Sequence, residues 1–376
     1  MKRISIRLIA LCLLLLLALV TPMQALAMEH IQYKEDYSPS DVEVGGYIIG
    51  SRVLELLTGE KIEAAVTPSS NAAEDRTYLI PGGMVFGTRL REKHLVVSAP
   101  DEAGVLKVGD RLLYINNTEI SSLSDIKSAL SGCQGKEVEV KVKREGKKVS
   151  LSILPREVSG EYRLGCVLRE GAAGIGTITY VDPETREFGG LGHGICDAAT
   201  GEVLEMSGGA VTGVVLGGVI RGEAGKPGEL TGILTDKLSG DVDLNTDCGI
   251  FGTLDTLPKS ASEPMPCAHR SEVEAGEATI ISTLKNGATL KYKVKLYDIN
   301  KSSTGTKSFK IRVTDEALLA ISGGIVRGMS GSPIIQNGML VGAVTHVMID
   351  DPTAGYGIFI ENMLSAASGY TLPKAA

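Results

Sequence analysis

The sequence predicts a mainly β protein, with a small α+β module ahead of a larger unit that reads as a sandwich or barrel. Three observations carry that prediction. Glycine is abundant at 46 residues while Trp is absent and Phe numbers five, a balance suited to short strands and tight turns. Apolar residues alternate with polar ones in many short runs, the period of half-buried strands. Gly, Asn, Asp or Pro interrupt those runs at short intervals, and no strand–helix rhythm of a parallel sheet is visible. With 376 residues, 43% hydrophobic and 22% charged, the chain is long enough for two or three cores and too apolar for wholesale disorder. Its net charge of -7 leaves no basic footprint, which argues against a nucleic-acid partner.

The N-terminus speaks to location. Lys2, Arg3 and Arg7 precede an apolar run from Leu8 to Val20, and Ala25-Leu26-Ala27 follows. Residues 1–28 therefore read as a signal peptide or signal anchor, with everything after them outside the cytoplasmic membrane. The run is shorter than the roughly 20 apolar residues of a comfortable span, so removal and retention both stay open. Residues 29–77 form a lead-in in which Tyr47–Gly50 and Ile62–Val66 are short strands. Of the six cysteines, Cys12 lies in the leader and the other five show no CxxC spacing. An exported chain permits one or two disulfides without demanding them. No metal site or cofactor motif is visible.

From residue 78 to 156 the text becomes a compact module. Leu79 to Gly87 is a glycine-rich turn leading into a strand. The segment Ala103-Gly104-Val105-Leu106-Lys107-Val108-Gly109-Asp110 precedes the strand Leu112–Asn116. Ser124 is the expected N-cap of a short helix carrying Ile126 and Leu130 four apart. Val138–Lys143 alternates and ends at the Glu145-Gly146 turn. These words resemble a PDZ domain of the bacterial protease type. Such a domain captures an extended peptide along a sheet edge, with loop N–H groups on its terminal carboxylate. The resemblance places that loop at Gly83, Met84, Val85, Phe86 and Gly87.

Residues 160–370 hold the chemistry. In Gly328-Met329-Ser330-Gly331-Ser332-Pro333 small residues flank a hydroxyl, which lets backbone approach a tetrahedral oxyanion closely. Ser330 is the candidate nucleophile, and the N–H groups of Gly328 and Ser330 are the candidate oxyanion hole. Ile334–Gln336 and Met339–Val344 flank Asn337-Gly338, a strong hairpin signal. A serine at the mouth of such a hairpin is how chymotrypsin-like double β-barrels present theirs.

Serine chemistry needs a base within reach and a group that orients it. His193 sits in Gly190-Leu191-Gly192-His193-Gly194, bracketed by glycines in a turn built for close approach, and is preferred over His346 on the strand after the hairpin. His30, His94 and His269 read as packed or surface residues. Candidate acids between His193 and Ser330 are Asp197, Asp236, Asp243, Asp247 and Asp315, and spacing does not choose among them. Cys196, three residues after His193, is the rival nucleophile, disfavoured because so short a separation does not span a cleft. Where trypsin-type enzymes carry an acid before the serine, this chain has Met329, which excludes activation by a freed N-terminus.

The same unit closely resembles the sporulation-checkpoint serine peptidases of the stage IV sporulation protein B family. The matching words are Leu191–Ile195, Gly249–Gly252, Val313-Thr314-Asp315, Gly323–Val326, Gly328–Gly338, Gly342–Val347 and Tyr356–Glu361. The resemblance implies His193 as base, Asp315 as its orienter and Ser330 as nucleophile. The spacing of Asp315 from Ser330 is unlike trypsin, so Asp243 stands as second choice. It implies export into the space between forespore and mother-cell membranes and self-cleavage near the N-terminus. The implied target is a membrane-bound regulator of the pro-sigma-K protease. The contrasting expectation is an inactive exported PDZ scaffold.

Overall fold

A computed structural model describes residues 42–44, 47–49 and 76–368, apart from 199, 259–261, 285 and 286. The leader 1–28 and the expected strand Ile62–Val66 lie outside the described residues. The chain up to Glu74 is a unit of its own, in which β1 (Val42–Val44) and β2 (Tyr47–Ile49) pair antiparallel. Among the described residues no helix is long and apolar enough to cross a membrane.

After Glu74 come β3 (Tyr78–Pro81) and the long strand β4 (Val85–Ala99). The module that follows contains β5 (Arg111–Ile115), β6 (Thr118–Glu119), α1 (Leu123–Ser131), β7 (Val138–Arg144), β8 (Lys147–Ile153), β9 (Arg156–Val158) and β10 (Glu161–Arg163). Leu95, Val97, Leu106, Leu112, Ile126, Leu130 and Val140 fill its core. Two acids shape the loop before β5. Asp101 accepts from Leu106 N at 2.6 Å, and buried Asp110 pairs with Arg144 at 2.7 Å. The N-cap of α1 is Ser122 rather than the expected Ser124. Ser122 Oγ accepts from Asp125 N and Asp125 Oδ2 accepts from Ser122 N, a reciprocal box that starts the helix two residues earlier.

β11 (Val167–Val181), β12 (Glu187–Gly190), β13 (Met206–Ile220), β14 (Glu229–Thr246) and β15 (Gly249–Leu254) follow. Pairing runs β4–β11–β12–β15–β14–β13 and returns to β4, so these six strands close barrel one. Phe86, Leu90, Ile178, Phe188, Val211 and Ile250 form its core, with Phe86 edge-on to Phe188 at 5.8 Å. β16 (Met265–Pro266) pairs with β3 outside the ring. Barrel two closes in the order β17 (Gly276–Thr283), β18 (Thr289–Tyr297), β19 (Phe309–Val313), β22 (Asp351–Phe359), β21 (Met339–Met348) and β20 (Pro333–Gln336). Asn337 and Gly338 join β20 to β21 with φ of 51° and 75°, the doubly left-handed turn that Asn-Gly favours. Helix α2 (Glu316–Ser322) follows β19, and α3 (Ile360–Ser368) lays Ile360 and Met363 on the seam between barrels, against Leu79, Tyr180, Leu340 and Ile358.

The mainly β class holds, a PDZ-type module with a double barrel, but the pairing divides the chain differently from the sequential boundaries at 78–156 and 160–370. Phe86 and Leu90 of β4 belong to the barrel-one core, whereas Leu95 and Val97 of the same strand belong to the module. β11 does the reverse, with Leu168 against the module and Ile178 and Val181 in the barrel. The module is thus inserted between the first and second strands of barrel one. One uninterrupted strand serves two cores, so alternation along it carries no boundary.

Candidate active site

A cleft of about 1120 Å³ opens between the barrels. Barrel one lines it with Leu191, His193, Gly194 and Asp247, and barrel two with Gly328, Ser330, Thr345 and His346. The structure therefore brings together Ser330, His193 and Gly328 from two separate barrels, and adds His346.

The serine loop is a chain of local bonds. Met329 N donates to Val326 O at 3.1 Å, Ser332 N to Met329 O at 2.9 Å, and Gly331 N to Val344 O at 2.8 Å. Met329 itself is fully buried in the barrel-two core, so the residue before the serine acts as an apolar anchor. Gly331 has φ +95°, and a Cβ there would sit 1.9 Å from Thr177 O, so only glycine lets the loop seat against β11. Ser330 Oγ donates to Thr345 O at 2.7 Å.

Two amide planes of this loop matter most. Arg327 O accepts from Leu230 N at 2.8 Å and Met329 O accepts from Ser332 N at 2.9 Å. Among the described residues no peptide bond is cis, and a trans peptide sends its N–H opposite to its carbonyl, so the N–H groups of Gly328 and Ser330 are turned away from these partners.

His193 follows a left-handed turn at Leu191 and Gly192, with φ of 65° and 67°. Gly194 is required by crowding, since a Cβ there would lie 2.6 Å from Thr246 O. His193 Nδ1 lies 2.9 Å from Gly194 O. A carbonyl only accepts, so this bond places the proton of the neutral ring on Nδ1 and leaves Nε2 as a lone pair. The ring stacks on His346 with centroids 4.9 Å apart. Burial lowers the pKa of His193 below the ordinary histidine value. His346 is pushed down to about 4 by burial, then by His193 and Lys307. Both rings are neutral at pH 7.

The two favoured acids fall elsewhere. Asp315 is the N-cap of α2: its carboxylate accepts from Leu318 N at 3.0 Å and Lys293 N at 3.1 Å, and it does not line the cleft. Asp243 lines a different cavity with Tyr180, Glu187 and Phe251. Asp247 is the acid that lines the cleft among the described residues, and its backbone carbonyl accepts from Gly194 N at 3.2 Å. The oriented bond of His193 goes to a backbone carbonyl, which has no signature in a sequence. Asp315→Asn is expected to keep peptidase activity within a few-fold of wild type, because Asn caps as well as Asp. Asp315→Ala is expected to lose about 1 kcal/mol of stability by thermal unfolding. A fall of about 10⁴ in kcat for Asp315→Asn, the effect of removing a triad acid, would return Asp315 to the catalytic centre.

The segment Gly83–Gly87 is not a peptide-capture loop. Gly83 N donates to Ile178 O at 2.8 Å, Gly83 O accepts from Thr283 Oγ1 at 2.9 Å, and Met84 O accepts from Ile178 N at 3.0 Å. Val85, Phe86 and Gly87 pair with Thr177, Gly176 and Ile175, and Gly87 also pairs with Thr212 on its other side. The segment is thus built into barrel one, bonded and paired to β11 along its length, and is not a free loop. Further along β4, the edge from Arg91 to Ala99 is occupied by the chain's own Val167–Gly171. Cys196 also lines the cleft, but burial and Asp247 push its thiol up, away from the thiolate a nucleophile needs.

Two closed six-stranded barrels that meet at a serine and a histidine have the layout of a serine peptidase, here carrying a PDZ domain. The chain belongs to the SpoIVB peptidase S55 family, whose model matches residues 160–364, and a PDZ model matches residues 87–154. The family match starts after β4, although barrel one needs that strand to close. A candidate zinc metalloprotease of Lactococcus lactis, LL2128, is 37% identical over 60 residues, 16% of this chain and 14% of its own length. Another of Rhizobium meliloti, R01501, is 36% identical over 97 residues, 25% of this chain and 26% of its own length. The chain spans only these small parts of both relatives. Among solved structures, the active form of the Rv3671c protease from M. tuberculosis is 17% identical, with TM-score 0.31, over 54% of this chain and 78% of that one. Its inactive form gives 15% and 0.30, over 52% and 83%. Scores of that size leave the assignment resting on the family match and the strand topology.

Proposed function

We propose that Ser330 is the nucleophile, His193 the general base, and the N–H groups of Gly328 and Ser330 the oxyanion hole. The carrying observation is the convergence of Ser330, Gly328 and His193 on one cleft from two barrels. Ser330 Oγ leaves Thr345 O by rotation about χ1 and gives its proton to Nε2 of His193 as it attacks the scissile carbonyl carbon. The two amides hold the oxyanion, and the imidazolium returns the proton to the leaving amine. Water then repeats the sequence on the acyl-enzyme. Gly194 O, by accepting from Nδ1–H, does the orienting that a carboxylate does in other serine peptidases.

The setting proposed for this chemistry is the sporulation checkpoint. The leader pattern of residues 1–28 supports export across the cytoplasmic membrane, into the space between forespore and mother-cell membranes. Membership of the SpoIVB family supports self-cleavage near the N-terminus and cleavage of a membrane-bound regulator of the pro-sigma-K protease. The protein substrates are engaged at the cleft, and the PDZ domain takes a peptide ligand at an edge other than Gly83–Gly87. The test incubates purified full-length wild-type protein and Ser330→Ala and follows N-terminal self-processing. Processing in wild type alone is the expected result. Equal processing in both would sink the serine reading, and none in either would favour a PDZ scaffold.

A further inference from the structure

We propose that Thr177, seconded by Thr179, is the positioning residue that registers the serine loop against the histidine turn. Thr177 lies on β11 of barrel one, is fully buried, and has every polar group committed to the cleft. Its Oγ1 donates to Gly328 O at 2.8 Å. Its N–H donates to Ser330 O at 3.0 Å, and its carbonyl accepts at 3.2 Å from the N–H of Leu191, two residues before His193. One residue of barrel one is therefore bonded to both halves of the site. Thr179, equally buried, donates Oγ1 to Gly331 O at 2.8 Å. Residues two apart on a strand share a face, so the two hydroxyls meet the loop side by side.

The effect on the loop is complete on its carbonyl side. Arg327 O is held by Leu230 N and Met329 O by Ser332 N, while the carbonyls of Gly328, Ser330 and Gly331 are held from β11. Five consecutive peptide planes are pinned, which fixes the direction of the amides of Gly328 and Ser330 between them. Loop geometry of this kind matters because a misplacement of about 1 Å can cost on the order of 100-fold in rate. A hydroxyl suits this role because it donates to a carbonyl in a dry site without the cost of burying a charge.

This inference rests on Ser330 being the nucleophile, and the experiment separates the two. Full-length Thr177→Val, Thr177→Ser, Thr179→Val and Ser330→Ala proteins are treated with a fluorophosphonate probe, which forms a tetrahedral adduct on an active serine. For Thr177→Val the maximal labelling rate is expected to fall about 10- to 100-fold with the concentration for half-maximal rate unchanged. Thr177→Ser, which keeps the donor, is expected to recover most of that rate, and Thr179→Val to show a smaller loss. Wild-type labelling by a folded Thr177→Val protein would overturn the clamp. So would a Thr177→Ser protein as slow as Thr177→Val, since the hydroxyl would then be irrelevant. If Thr177→Val does not fold, the Thr179→Val rate decides: slowed labelling by Thr179→Val beside near-wild-type labelling by Thr177→Ser supports the clamp, and labelling of Thr179→Val at the wild-type rate overturns it. Labelling of Ser330→Ala would instead overturn the assignment of the nucleophile.

Discussion

Ser330→Ala is expected to lose peptide hydrolysis by about 10⁴- to 10⁶-fold in kcat while the fold stays intact. The two effects separate because the hydroxyl contributes little to the native state. Ser330 Oγ makes one hydrogen bond, to Thr345 O at 2.7 Å, whose net worth is about 1 kcal/mol. The loop around it is held by backbone bonds and by buried Met329, none of which the substitution touches. Hydrolysis of casein, followed beside thermal unfolding, checks both halves. Hydrolysis at more than one-hundredth of the wild-type rate by the alanine variant would exclude Ser330 as nucleophile.

His193→Ala is expected to fall almost as far, by about 10⁴- to 10⁶-fold, because nucleophile and base act as one unit. His346→Gln is the contrast. That ring stacks on His193 and its Nδ1 is buried without a hydrogen-bond partner, so it has packing to lose but no bond to a reacting atom. A loss of about tenfold or less is expected for His346→Gln. The opposite pattern, with His346 indispensable and His193 dispensable, would exchange the two roles.

The pH profile gives an independent check on the base. Activity requires neutral His193, and burial disfavours its charged form. The acidic limb of kcat/KM is therefore expected below pH 6.5, the ordinary histidine value. A limb above that value would mean that a negative partner, not burial, dominates the ring. It would reopen the case for a carboxylate as third member, with Asp247 the acid already lining the cleft.

Much of the site is legible in the order of residues alone. Gly-x-Ser-Gly-Ser-Pro, the glycine-bracketed His193 and the Asn-Gly hairpin are all local devices, each needing a torsion or a close approach that its residues supply. Other expectations fail for one shared reason. Asp315 has the right type and lies near Ser330 in the chain, yet its carboxylate accepts from backbone amides of Leu318 in the first turn of α2 and of Lys293 on β18. Gly83–Gly87 has the composition of a carboxylate loop, yet it is paired to β11 as part of barrel one. Residue type states which bonds a group can make, and packing decides which bonds it does make.

What the sequence by itself determined was the mainly β class, the PDZ-like module, the serine and histidine, and the turns that present them. These depend on side-chain chemistry and on torsions within a few residues. Only the tertiary structure decided that the module interrupts barrel one, that Gly194 O rather than Asp315 faces His193, and that Thr177 ties both halves of the cleft together. Each of those is a hydrogen bond to backbone, or a strand pairing between segments far apart in the chain. Every residue carries the same backbone groups, so such bonds leave no mark in the order of side chains.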